Sequence, residues 1–352
     1  VKAGAQCGYV TVPLDYAKPK GAKIKLAVSR IKHKTPDAKK QGIMLVNPGG
    51  PGGSGLTLSR LGGAVPNKGG DPYDWIGFDP RGVGASTAVD CLTDAELDAE
   101  RAGANDPATP SAAATQERAQ KMGEACASKT SPVGLLDHID TISAAKDLDI
   151  LRALSGSSAL TYLGYSYGTY LGATYAELFP ANTGRMVLDG AVDPSLSAAD
   201  LALGQAKGFE ASLRAYVQNC QSSKLGCPLS GDVDSGVSQV REFLESTKAA
   251  PLPTSDDKRP LTYDLAVYGV LGSMYQTQLW PSHTLALSQA MGKMGDPDGS
   301  ALLAIAEGRL VSDDARRRAD DASVLHWQVD RDARTGEDAA ERGPAEQAEQ
   351  RG

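Results

Sequence analysis

The sequence predicts an α/β fold, a mostly parallel β-sheet with helices on both faces and a block of helices inserted after it. Short apolar runs alternate with helical patterns across residues 42–188. Two of these runs end in glycine-rich turns, NPGGPGGSG at Asn47–Gly55 and DPRGVGAS at Asp79–Ser86. A third, Leu160–Leu163, leads into Gly164-Tyr165-Ser166-Tyr167-Gly168 and then a helical stretch that stops at Pro180.

Taken in order, Gly8–Tyr16 and Lys23–Lys32 alternate apolar and polar residues around the turn-rich AKPKGA. They predict an antiparallel hairpin at a sheet edge. Gly42–Val46 reads as a buried strand, Leu56–Val65 as a weak helix and Asp74–Phe78 as the next short strand. Cys91–Ser131 is rich in Ala, Asp, Glu, Thr and Pro and reads as one or two surface helices with a loose connection around Asn105–Ser111. Apolar residues at 144, 145, 148, 151 and 154 predict a helix over Asp140–Leu154, with Gly156 where a C-terminal cap belongs. Arg185–Leu188 reads as another buried strand. From Ser195 to about Glu307 the pattern is helical, over Leu203–Val217, Val237–Ala249, Leu265–Gln278 and His283–Met294. The expected organisation is a core over 1–194 with an insert at 91–131, a helical cap or lid over 195–310, and a tail over 311–352. In the tail 18 of 42 residues are charged, against 22% for the whole chain, and its seven basic residues are all arginine. That shift predicts disorder or an aberrant end.

At 352 residues the chain can bury a large core. A net charge of −7 and a pI near 5.2 argue against nucleic acid as a partner. No apolar window of about 18 residues encodes a transmembrane helix. The chain starts at Val1 with no basic-then-apolar leader, which is compatible with a signal segment already removed. Five cysteines form no C-x-x-C pair and the four histidines do not cluster with them, so no zinc site is expected. Cys220 and Cys227 enclose a short polar segment and suit a local disulfide; Cys91 and Cys126 bracket the polar insert and could staple it. Cys7 is then left over. Five reduced thiols are the alternative.

Strand, sharp turn with serine, and helix form the context that gives a G-x-S-x-G match a mechanism. The turn lifts the Ser166 oxygen above the sheet edge, at a helix N-terminus whose dipole favours developing negative charge. Ser166 is therefore the expected nucleophile. The expected oxyanion donors are the N–H groups of Gly50, in the glycine loop, and Tyr167. A phosphate-cradling loop lacks its Gly-Lys-Ser/Thr ending here, and a plain structural turn is the other reading. Asp79 and Arg81 read as turn-shaping residues, with substrate binding as the alternative. Neither acid nor base is evident. His33 and His138 precede the serine, His283 reads as an ordinary surface or half-buried histidine, and His326 lies in the charged tail. Asp189 and Asp193 read as turn caps before they read as catalytic acids.

CGYVTVPLDYAKP, NPGGPGGSG, WIGFDPRGVGAST, the cysteine at 91, AKDLDILRALSG, GYSYGTYLGATYAELFP and RMVLDGAVDP occur in that order. Together they resemble the secreted bacterial tripeptidyl aminopeptidases, relatives of the proline iminopeptidases in the α/β-hydrolase superfamily. The resemblance runs from about residue 7 to about 310. It implies an α/β-hydrolase fold with a helical cap, and a serine exopeptidase releasing short peptides from substrates with free N-termini. Ser166 matches the family's nucleophile, and Gly50 matches the second glycine of its oxyanion loop. No metal and no cofactor are implied, and export to a secreted or cell-surface location is. An esterase of the same fold, or a catalytically impaired fragment serving as a binding module, are the rival functions. The family's C-terminal strands, with its catalytic Asp and His, find no match after Leu310.

Overall fold

The computed structural model of the chain describes residues 4–97, 112–223, 226–256 and 259–310. They form two compact units. The sheet unit comprises 4–91 and 123–194, and the helical unit comprises 92–97, 112–122 and the described residues of 195–310. The tail expected over 311–352 and the loose connection at 105–111 lie outside the described residues.

Six strands form one sheet: β1 (Ala5–Pro13), β2 (Lys23–Ile31), β3 (Ile43–Asn47), β4 (Asp74–Phe78), β5 (Leu160–Tyr165) and β6 (Thr183–Asp189). Their order is β1-β2-β4-β3-β5-β6. β1 pairs antiparallel with β2, and β2 with β4; the pairs β4–β3, β3–β5 and β5–β6 are parallel. The alternating hairpin thus stands at the edge, as its pattern predicts. Helix α1 spans Ala112–Lys129, α2 Thr141–Leu154 and α3 Tyr167–Leu178. Asp140 caps α2 by accepting from the Ser143 N–H at 2.8 Å, and Gly156 takes the left-handed conformation just past its end. Leu26, Leu45, Phe78, Leu148, Tyr162 and Leu171 are fully buried in the core that the sheet shares with α2 and α3. Each such burial contributes about 1.5–3 kcal/mol.

Two expectations about the sheet unit change. Leu56–Ala64 winds as a 3-10 helix, not an α-helix; adjacent glycines at 62 and 63 lower its helix propensity. β6 is not buried. Val187 is 54% exposed and Leu188 38%. Among the described residues β6 pairs with β5 alone, so one edge and the face carrying Val187 lack a covering element.

Arg81 is buried, and its side chain ties four segments together. It gives Asp147 two hydrogen bonds of 2.7 and 2.8 Å and donates to the carbonyls of Pro13, Leu14 and His138. Tyr16 adds a hydrogen bond to Asp147 at 2.7 Å. Burial pushes the Asp147 carboxyl up, opposed by the bonds from Arg81 and Tyr16. The turn-shaping reading of Arg81 is the one this geometry supports. Asp79 acts likewise: one carboxylate oxygen accepts from Gly55 N and the other from Ala85 N, which joins the two glycine-rich turns.

The helical unit contains α4 (Ala198–Ser222), α5 (Val233–Ala249), α6 (Tyr263–Met274), α7 (Trp280–Ala290) and α8 (Ser300–Leu310). Helices α4 and α5 start upstream of the apolar pattern because Ser197 and Asp232 cap them. Helix α8 had no counterpart among the four expected. Tyr216, Val217, Val240, Leu261, Leu287 and Leu302 centre its own core. Disulfides join Cys220 to Cys227 in this unit and Cys91 to Cys126 in the other, and Cys7 is a free thiol. No described helix is long and apolar enough to cross a membrane.

His283 departs from the expectation of a surface or half-buried histidine. It starts the second turn of α7 and is 0% exposed, packed against the Tyr216 ring at 4.8 Å. Neither ring nitrogen has a hydrogen-bond partner among the described residues. Burial lowers its pKa from 6.5 to about 4. The unfolded chain therefore binds a proton near pH 6.5 that the folded unit refuses until about pH 4. Stability is complete above pH 6.5 and is lost as pH falls toward 4, by about 3 kcal/mol. Amide exchange in α7 at pH 7 and pH 4, compared between the native chain and His283→Phe, checks this. The variant should lose most of that pH dependence; identical profiles would sink it.

Candidate active site

Ser166 lies between β5 and α3 with φ 52° and ψ −124°. It is one of three non-glycine residues with positive φ among those described. A β-carbon is strained there, and such strain persists only where surrounding contacts hold it. Those contacts are explicit. The Ser166 N–H donates to the Asp189 carbonyl at the end of β6 (3.0 Å), and the Ser166 carbonyl accepts from Thr169 N at 2.8 Å and Thr169 Oγ1 at 2.6 Å. Thr169 Oγ1 in turn accepts from Val192 N at 2.9 Å. The turn is therefore clamped on both sides. Gly164 must be glycine, because a β-carbon there would come within 2.4 Å of the Gly168 carbonyl oxygen.

The glycine loop after β3 lies directly against this turn. A β-carbon on Gly49 would stand 2.4 Å from the Tyr165 carbonyl oxygen, 2.9 Å from Tyr167 N and 3.0 Å from Ser166 Cβ, and its φ is +89°. Only glycine lets the two backbones touch. Asn47, buried at the end of β3, steers the loop by accepting from Gly49 N at 2.9 Å, and the Gly53 N–H closes the loop onto the Gly49 carbonyl at 3.1 Å. Gly50 follows at φ +116°. Tyr167 N–H is the first of α3 and has no carbonyl partner within the helix. The loop that carries Gly50 and the peptide that carries the Tyr167 N–H are thus brought together beside Ser166. Asn47 and Thr169 are the supporting residues that sequence reasoning missed; a buried polar residue closing an apolar strand was the signal for the first.

Tyr165 and Tyr167 flank the serine in the chain, and Tyr170 follows in the first turn of α3. Tyr167 Oη and Thr141 Oγ1 share a hydrogen bond of 2.8 Å, and the Tyr167 and Tyr170 rings lie 6.1 Å apart. Burial raises the pKa of Tyr165 and of Tyr167, so both are neutral phenols at pH 7. The Asp189 side chain is exposed and makes no hydrogen bond among the described residues, so it does not cap the turn as expected; its backbone carbonyl holds Ser166 instead.

No histidine hydrogen-bonds Ser166 among the described residues. His33 Nδ1 pairs with Asp74 at 2.7 Å and its Nε2 with Asp37 at 2.9 Å, beside the start of β4, whereas Ser166 follows the end of the parallel strand β5. His138 has its backbone carbonyl on Arg81. His283 is sealed in the helical unit's core, and His326 lies outside the described residues. No group of three or more His, Cys, Asp or Glu suited to a metal ion occurs among the described residues.

A parallel sheet, a strained serine between strand and helix, and a glycine loop laid over it define a class. The sequence profile of the alpha/beta hydrolase fold matches residues 42–280, and the chain belongs to that family. It is 36% identical to the serine protease Hip1 of Mycobacterium tuberculosis over 96% of this chain and 65% of that protein. It is 46% identical to the tripeptidyl aminopeptidase of Streptomyces lividans over 54% of this chain and 36% of that protein. It is 35% identical to carboxylesterase B of M. tuberculosis over 86% of this chain and 57% of that protein. The chain thus spans less than two thirds of each relative's length. The 4% left unmatched by Hip1 is shorter than the segment 311–352. That match therefore extends beyond Leu310, where the motif resemblance stops.

Proposed function

We propose that this chain is a serine hydrolase working through an acyl-enzyme on Ser166, and that it releases short peptides, tripeptides among them, from substrates with free N-termini. The observation that carries the reading is the Ser166 backbone, held at φ 52° between strand and helix. Such strain is kept where it aims a reactive oxygen. The N–H groups of Gly50 and Tyr167 are the proposed oxyanion donors, which would stabilise the tetrahedral intermediate at the positive end of α3. The helical unit is the proposed cap. Peptide substrates are favoured by the printed names of two relatives, a serine protease and a tripeptidyl aminopeptidase. The two disulfides support export to an oxidising compartment.

An esterase is the second reading. Carboxylesterase B matches 86% of the chain, and this turn and loop would serve ester carbonyls equally well. Hydrolysis of a tripeptide amide with a free N-terminus, its N-blocked form and a short acyl ester separates the two. The free peptide should be cleaved at least about tenfold faster than the blocked one. Equal rates on the two peptides sink the exopeptidase, and turnover of the ester alone replaces it with the esterase.

A further inference from the structure

The face of the sheet that packs on α2 is not filled to its edge. A cavity of about 100 Å³ lies there, at the start of β3 and β4, the end of the parallel strands opposite the Ser166 turn. Its apolar walls are Val10, Val28, Ile43 and Ile76 from four strands, and Leu151 and Leu154 from α2. Gln6 and Arg30 also line it. They are cross-strand partners, so they stand on one face of the sheet. Gln6 Oε1 and Arg30 Nε are buried, and neither has a hydrogen-bond partner among the described residues. The far end of the guanidinium is occupied by Asp74, a fully buried carboxylate that also holds Lys40 at 2.8 Å and His33 at 2.7 Å. Burial pushes the Asp74 carboxyl up, but the hydrogen bonds from Lys40, His33 and Arg30 outweigh it and keep it well below the ordinary range. The Arg30 side chain is thereby fixed with its Nε–H still free. One donor and one acceptor, both buried and without a partner among the described residues, belong to cross-strand neighbours that line this largely apolar cavity. Leaving such groups unmade is costly.

We propose that this cavity is a binding site for a small amphiphile, an apolar body of about four to six non-hydrogen atoms carrying one hydroxyl or primary-amide head. The size follows from the volume, since an apolar cavity of about 150 Å³ takes up benzene. The head follows from the orphaned pair. It must accept from Arg30 Nε and donate to Gln6 Oε1. A carboxylate has nothing to donate, an ammonium cannot accept, and an ether cannot donate.

Titration of the full chain with 1-butanol and with butyramide, followed through the Ile43 and Ile76 methyl resonances, tests this. Both methyls should shift saturably with each probe. Leu154→Phe fills the cavity and should abolish the shifts. Gln6→Leu keeps the volume and removes the acceptor, and should weaken binding about fivefold. Gln6 is only half-buried, so that variant reports even if Leu154→Phe fails to fold. Shifts that stay linear throughout the titration overturn the proposal. So do saturable shifts whose midpoint Gln6→Leu leaves unmoved.

Discussion

Replacing Ser166 by glycine is expected to abolish covalent labelling by an alkyl fluorophosphonate and, in the same molecule, to stabilise the sheet unit by about 1–2 kcal/mol. The two effects share one cause. At φ 52° and ψ −124° the β-carbon of Ser166 is strained, and glycine carries none. The clamp from Asp189 and Thr169 uses only the Ser166 backbone, so it survives the exchange. Ser166→Ala separates the contributions. It removes the oxygen and keeps the strain, so labelling should vanish with stability nearly unchanged. Loss of a nucleophile costs several orders of magnitude in rate. Labelling that persists in either variant sinks Ser166 as nucleophile. Unfolding in urea at equal midpoints for Ser166→Gly and Ser166→Ala sinks the strain.

The largest stability loss is expected from Asp147→Ala. It would leave the Arg81 guanidinium in a dry interior with three carbonyl acceptors and without its paired carboxylate. Breaking one half of a buried pair typically destabilises by about 3–5 kcal/mol. Removing both halves, as Arg81→Met with Asp147→Leu, should recover more than half of that loss, because the pair's own desolvation cost goes with it. Urea unfolding of the single and double variants decides it. A single-variant loss below about 1 kcal/mol would show that the ion pair is not what holds these segments.

The strands and the Ser166 turn were legible because their signals are local. Apolar runs of four or five residues bounded by glycine and proline name strands, and the spacing of Gly164, Ser166 and Gly168 names the turn. Burial was less legible. Arg185–Leu188 has the composition of an interior strand, but composition does not say which elements cover it, and here Val187 is exposed. The pairing of Arg81 with Asp147 was hidden for the same reason: 66 residues separate them, and no periodicity links the two. His283 was misread because α7 starts at Trp280, with Pro281 in its first turn, before the apolar pattern begins, and His283 falls on its buried side. The glycine loop was legible as a turn at the end of a strand, whereas the approach of Gly49 to Ser166 was not, because it depends on how two segments more than a hundred residues apart meet.

The Arg81 bonds also bear on how the unit assembles. They reach across 57 to 68 residues of chain, to the hairpin, to the turn before α2 and to α2 itself. The full set closes only when all three have met Arg81. Substitution of Arg81 is therefore expected to act chiefly on the rate at which the unit opens, read from unfolding kinetics in urea; an equal fall in the refolding rate overturns this. In those terms Arg81 bears on the lifetime of the folded sheet.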